Sequence, residues 1–180
     1  MAKKGLIFLM NEKPKGNDGF IIRKIYRFIP EFTNIITTII ELEIYTNNIC
    51  VISFYEHNKG TDKTKYKIRS NIGSGHTRAI FRACIDAYYE LNQDYALVFS
   101  ASNDIGKIEE DNSRYSAYTL FLSIYFRNYN NYIQQGSIAI NTLMLYHQSY
   151  QYKDEADLFY KEFEKKVEKN LTEDDDSDKP

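Results

Sequence analysis

Gly73 and Gly75 flank Ser74 where a β-type pattern gives way to a long helical one. Glycines at such a point let the chain turn sharply and let ligand oxygens approach backbone N–H groups. The first turn of a helix adds free donors and a partial positive charge, so the turn can cradle a phosphate. Ile72, Gly73, Ser74, Gly75, His76 and Thr77 form this candidate anion site, with Arg69 just ahead of it. The same glycines also suit a strand-to-helix turn that needs positive φ and binds nothing. Glu41 and Glu43 share a strand face, and either could take a proton directly or through water. On an antiparallel strand that pair reads more readily as a solvated face. Tyr125 offers a phenol as a general acid, although a tyrosine on an apolar helix usually packs its ring.

Other chemistry finds no foothold. His57, His76 and His147 lie far apart, without the spacing of metal ligands, so no metal site is expected. Cys50 and Cys84 sit in separate apolar runs, where reduced thiols pack as small hydrophobes. Lys59, Lys63, Lys65, Lys67 and Arg69 make a basic approach to the glycine turn that could attract phosphates or nucleic acid. Acids nearby favour a solvated edge strand instead.

The elements around the turn read clearly. A short apolar run, Gly5–Met10, is followed by a Pro- and Gly-containing loop to Gly19 and a strand within Phe20–Ile29. Asn34–Tyr45 is the plainest strand, with Thr38, Ile40, Leu42 and Ile44 on one face. Thr46-Asn47-Asn48 turns it into Ile49–Tyr55, giving a hairpin, and Lys65–Arg69 reads as one more short strand. The spacing of Ile80, Phe81, Cys84, Ile85, Tyr88 and Leu91 predicts a helix over Thr77–Leu91. Tyr95–Ser100 is then a buried strand, reached by a parallel crossover. Ser113–Tyr129 is a helix apolar nearly all round, so it is sandwiched or keeps a face for a partner. A turn at Gln134–Ser137 leads to a strand over Ile138–Tyr146. Asp154 caps a last amphipathic helix to Lys169, with Ala156, Phe159, Phe163 and Val167 inward.

The 180 residues fit one domain over 1–171, with a tail, 172–180, too acidic and too poor in apolar residues to fold. That tail carries a net charge of −4 against −2 for the whole chain, leaving the body weakly basic. Neither value demands nucleic acid or a membrane as partner. Met1–Met10 is too short in apolar residues for a signal peptide and no run approaches a membrane span, which places the chain in the cytoplasm. The wealth of Tyr, Asn, Ile and Lys suits AT-rich codons and points to a low-GC bacterium or phage.

Strands, a Gly-x-Gly turn into a helix, then strand, helix and strand: this order resembles the GNAT acyltransferase superfamily. Its signature there is Gln or Arg, two residues, Gly, one residue, then Gly or Ala. The matching stretch here is Ser70-Asn71-Ile72-Gly73-Ser74-Gly75, with Arg69 one place early for the basic position. Ala117-Tyr118-Thr119-Leu120-Phe121 is similar to the superfamily's Ala-x-x-Leu-Tyr pattern, with Phe121 in place of the tyrosine that often serves as general acid. Tyr125, one turn later, is the nearest substitute. The stretch from about Thr77 to Phe163 also resembles small Bacteroidota proteins of GNAT-like outline through Leu120-Phe121 and Tyr125-Phe126.

The resemblance implies an α+β fold with a mixed, mainly antiparallel sheet and helices on its faces. It further implies acetyl-CoA or another acyl-CoA as cofactor, its pyrophosphate on the Gly73–Gly75 amides, and N-acyl transfer to an amine. The residues themselves leave a second reading open, a non-catalytic interaction module. In that reading the Ser113–Tyr129 helix carries a homodimer contact or a protein partner, as in an antitoxin-like or phage-defence accessory role.

Overall fold

The computed structural model describes residues 5–30, 37–61, 64–66, 74–91, 94–101 and 113–176, with backbone alone for Ser74 and 171–176. Its strands are β1 (Leu6–Glu12), β2 (Ile22–Phe28), β3 (Thr38–Tyr45), β4 (Ile49–Glu56), β5 (Ala96–Ser100), β6 (Tyr132–Ser137) and β7 (Thr142–His147). Its helices are α1 (Ser74–Tyr89), α2 (Ser113–Tyr125) and α3 (Lys153–Asp176). The strands form one sheet in the order β1-β2-β3-β4-β5-β7-β6. Among the described residues only the β4–β5 pair is parallel, and α1 is the crossover between those two strands. The architecture is therefore α+β with a mainly antiparallel sheet.

The period-2 pattern of β3 decides which side each layer occupies. Ile40, Leu42 and Ile44, with Tyr26, Cys50, Ile52 and Leu97 from neighbouring strands, face α1 and α2 and form the larger core. Helix α1 buries Ile80, Phe81, Cys84, Ile85 and Tyr88 there, with the small Ala83 and Ala87 between them. At the centre the Phe81 ring lies 5.4 Å from Phe99 and 5.3 Å from Tyr118. The opposite face of the sheet, with Ile49, Val51, Ala96, Val98 and Met144, is covered by Ala156, Phe159, Tyr160 and Phe163 of α3. Cys50 and Cys84 are buried free thiols, and burial pushes both well above the ordinary thiol range.

Several local expectations change. Asn47 and Asn48 adopt positive φ as the turn requires, at 61° and 55°. Lys65 and Tyr66, in contrast, lie in a turn rather than a strand. Gln134–Ser137 is part of strand β6, and the reversal falls at 138–141, where Asn141 takes φ 53°. Gly136 fits this strand because Tyr115 packs over it, its hydroxyl only 2.7 Å from where a Cβ would sit. Helix α2 stops at Tyr125, since Asn128 turns left-handed at φ 54°. Helix α3 starts at Lys153, which puts Asp154 inside the first turn beside Glu155 rather than at the cap, where both favour the helix dipole. Its backbone continues to Asp176, five residues into the stretch whose composition reads as unfolded. No helix among the described residues is long and apolar enough to cross a membrane.

Candidate functional site

The parallel pair β4–β5 opens at its carboxyl end. Their last paired residues are Ile52 and Phe99, whereas β4 runs on to Glu56 beside β3 and Ser100 stays with Thr142 of β7. Crevices of this kind, outside the carboxyl ends of parallel strands, are where open α/β sheets bind ligands. The crossover helix begins at the Glu56 end of β4: His76, in the first turn of α1, lies within electrostatic range of Glu56.

That first turn comprises Ser74, Gly75, His76 and Thr77, earlier than the expected start at Thr77. Gly75 is therefore a helical residue, not a positive-φ turn residue, and a Cβ added to it would meet nothing within 4 Å. His76 points inward with 1% of its surface exposed, where the sequence leaves it in a turn. Burial pushes its imidazole below the usual histidine range, with Glu56 at the end of β4 acting in the opposite sense. A histidine whose folded pKa is depressed contributes stability above its ordinary value near 6.5 and loses it as pH falls below that value. Urea unfolding between pH 7 and 5 is expected to show falling stability, and His76→Leu to flatten the slope in that window. An unchanged slope would assign the acid sensitivity to other groups. Arg69, Ile72 and Gly73 lie outside the described residues.

Tyr125 reaches this end of the molecule from α2. Its phenol accepts a hydrogen bond from Nε of Arg78, one residue past the first turn of α1, and the guanidinium stands 5.6 Å from its ring centroid. Phe121 packs against Phe81 at 5.5 Å and against Tyr125 at 6.1 Å, so an apolar ring occupies the position of the resemblance's tyrosine.

Glu41 and Glu43 lie on the other face of the sheet from α1 and Tyr125. Glu41 is not solvated there: its side chain is only 3% exposed. Its carboxylate accepts hydrogen bonds from Tyr66 at 2.6 Å and Tyr55 at 3.1 Å, with Arg23 at 3.9 Å and Lys65 at 3.7 Å. Glu43 binds Arg23 at 2.6 Å and accepts from Tyr45 at 3.0 Å, while Glu12 holds the other end of the guanidinium at 2.8 Å. Burial opposes charge on Arg23, but Glu43 and Glu41 outweigh it and hold the guanidinium firmly protonated. Burial and the adjacent Glu41 likewise raise the Tyr66 phenol far above neutrality, so it donates a hydrogen bond and keeps its proton. The carbonyl of Tyr66 accepts from Arg114 in α2 at 3.2 Å, tying this segment to the helix on the other face. Glu12, Arg23, Tyr45, Tyr55 and Tyr66 are the members of this network that sequence reading overlooked. The register would expose Arg23 opposite Glu43, but nothing local links Tyr66 to Glu41 across 25 positions.

The basic approach is also distributed by these contacts. Lys65 stacks over Tyr55 and Tyr66 at 4.2 and 4.9 Å, and Lys59 pairs with Glu56 at 2.8 Å. Lys63, Lys67 and Arg69 lie outside the described residues. Among the described residues no group of three His, Cys, Asp or Glu is arranged to hold a metal ion. Comparison with protein-family models, with curated proteins and with solved structures yields no match.

Proposed function

We propose that this chain is an acyl-CoA-binding, N-acyltransferase-like domain whose site lies where β4 and β5 part beside the start of α1. The observation that carries this reading is the β4–α1–β5 crossover, which parts after Ile52 and Phe99 and sets a glycine-containing helix start at the opening. The donor set suits a pyrophosphate: backbone N–H groups of the first turn, open space over Gly75, and the Arg78 guanidinium close by. The order of strands, helix, strand, helix and strands is also the one that the GNAT resemblance implies.

In this reading the backbone amides of the first turn of α1, Gly75 to Thr77, hold the pyrophosphate, while the His76 side chain stays turned into the protein. When bound, an acyl-CoA supplies the activated acyl group. Tyr125 stands nearest as a proton donor, oriented by Arg78. Glu41 and Glu43 belong to the ion-pair scaffold on the other face, Glu41 holding Tyr66 and Glu43 holding Arg23, and neither reaches the site. Ligand binding thus has more residues behind it than transfer does.

Titration calorimetry with acetyl-CoA and desulfo-CoA tests the proposal; no binding of either at millimolar concentration would refute it. Gly75→Val is expected to abolish binding while leaving the thermal midpoint unchanged, because its side chain would enter open space in the unliganded protein. Unchanged affinity in that variant would move the site away from α1.

A second reading, a protein-interaction module, is favoured by one feature. Leu120 and Ile124, one turn apart on α2, are 57% and 53% exposed on a helix whose other large residues pack inward. Leu120→Lys combined with Ile124→Lys would release a partner held there without unfolding the domain. Loss of acyl-CoA binding in the same variant would argue against two separate surfaces.

A further inference from the structure

We propose that β1 is a self-pairing edge, by which two copies of this chain join β1 to β1 antiparallel across a two-fold axis and continue the sheet. Among the described residues β1 is hydrogen-bonded to β2 alone and forms one margin of the sheet. Ile7, Phe8, Leu9 and Met10 are consecutive in it and 45%, 47%, 44% and 53% exposed. Edge strands are normally shielded by charges, proline or short length, and this four-residue stretch carries no charge and no proline. The opposite margin, β6, has Gln134, Gln135 and Gly136 at its centre.

The register of β1 makes a second copy the fitting partner. Phe8 lies opposite Tyr26 and Met10 opposite Ile25, so Leu9 is an additional residue, a bulge. Leu6, Phe8 and Asn11, opposite Phe28, Tyr26 and Lys24, therefore share the α1 side of the sheet. Ile7, Met10 and Glu12, opposite Arg27, Ile25 and Arg23, share the other side. Reversing the strand about the Phe8–Leu9 peptide exchanges Leu6 with Asn11 and Ile7 with Met10, each with a residue of its own face. An isologous antiparallel contact needs that symmetry, because opposed residues must lie on the same face. A regular strand centred between two residues lacks it, and the bulge supplies it. Ile7 then meets Met10 of the second copy twice, with Phe8 against Leu9 at the axis.

The apolar surface available is on the order of 400 Å² per copy, about half of the ~800 Å² per partner in a stable complex. The dimer is accordingly reversible, with dissociation in the micromolar range. Sedimentation equilibrium of the full chain, from about 1 to about 500 µM, should show a monomer–dimer equilibrium. Met10→Lys should weaken it at least tenfold with the thermal midpoint retained, since Met10 is half exposed. A mixture of chains carrying Ile7→Cys with chains carrying Met10→Cys should cross-link on oxidation, and neither alone should. A monomer throughout that range, or self-association that Met10→Lys leaves unaltered, overturns the proposal.

Discussion

Glu41→Ala is expected to lower the free energy of unfolding by about 3 kcal/mol, read as a shift of the urea midpoint. The substitution leaves the Tyr66 and Tyr55 hydroxyls without the carboxylate that accepts them at 2.6 and 3.1 Å. It also removes the charge beside Arg23 and Lys65, but those side chains are 22% and 17% exposed and solvent screens that part. Arg23 moreover keeps Glu43 and Glu12. The figure therefore rests mainly on two charge-assisted hydrogen bonds in a nearly dry site. Glu41→Gln retains an accepting oxygen and should lose about half as much, and Tyr66→Phe about 1–2 kcal/mol. A loss below about 1 kcal/mol for the alanine variant would mean that water replaces the carboxylate without cost. A proton acceptor free for catalysis would instead show little stability effect and a loss of activity.

Phe81→Ala should be costlier still, by about 4 kcal/mol, with the thermal midpoint lowered by about 10 °C. Phe81 has no exposed surface and is where three elements meet. Its ring lies against Phe99 of β5 and against Tyr118 and Phe121 of α2, all within 5.5 Å between centroids. Truncation leaves a cavity that three aromatic rings and the sheet beneath cannot readily collapse into. It also loosens α2, which carries Tyr125, against α1. If the proposed function holds, acyl-CoA affinity should weaken in this variant too, although Phe81 lies outside the proposed site. Equal stability of Phe81→Ala and Leu120→Ala would contradict the layering, because Leu120 faces solvent.

How much of this was legible beforehand depended on the range of the interaction. The alternation in β3 and the 3.6-residue spacing in α1 reflect burial of one face, which is written locally, and both elements lie where those patterns put them. The parallel step from β4 to β5 was equally accessible, because a helix between two strands leaves few other connections. Strand β6 was missed because Gln134, Gln135 and Gly136 carry turn chemistry. Its pairing with β7 and the Tyr115 hydroxyl against Gly136 are contacts that local sequence does not show. Glu41 shows the same limit, since its strand face was readable and its burial was not. Tyr55 from the facing strand of the hairpin and Tyr66 and Lys65 from beyond it close over it and turn an apparently solvated pair of acids into a closed network.

The sequence by itself determined the fold class, the β3–β4 hairpin and the helical crossover from β4 to β5, because short-range patterning controls those. Only the tertiary structure decided that Gly75 and His76 lie inside the helix, that Glu41 is buried, and that Glu41 and Tyr125 stand on opposite faces of the sheet. Those outcomes depend on which residues meet across many positions of chain, and that is settled when the layers close.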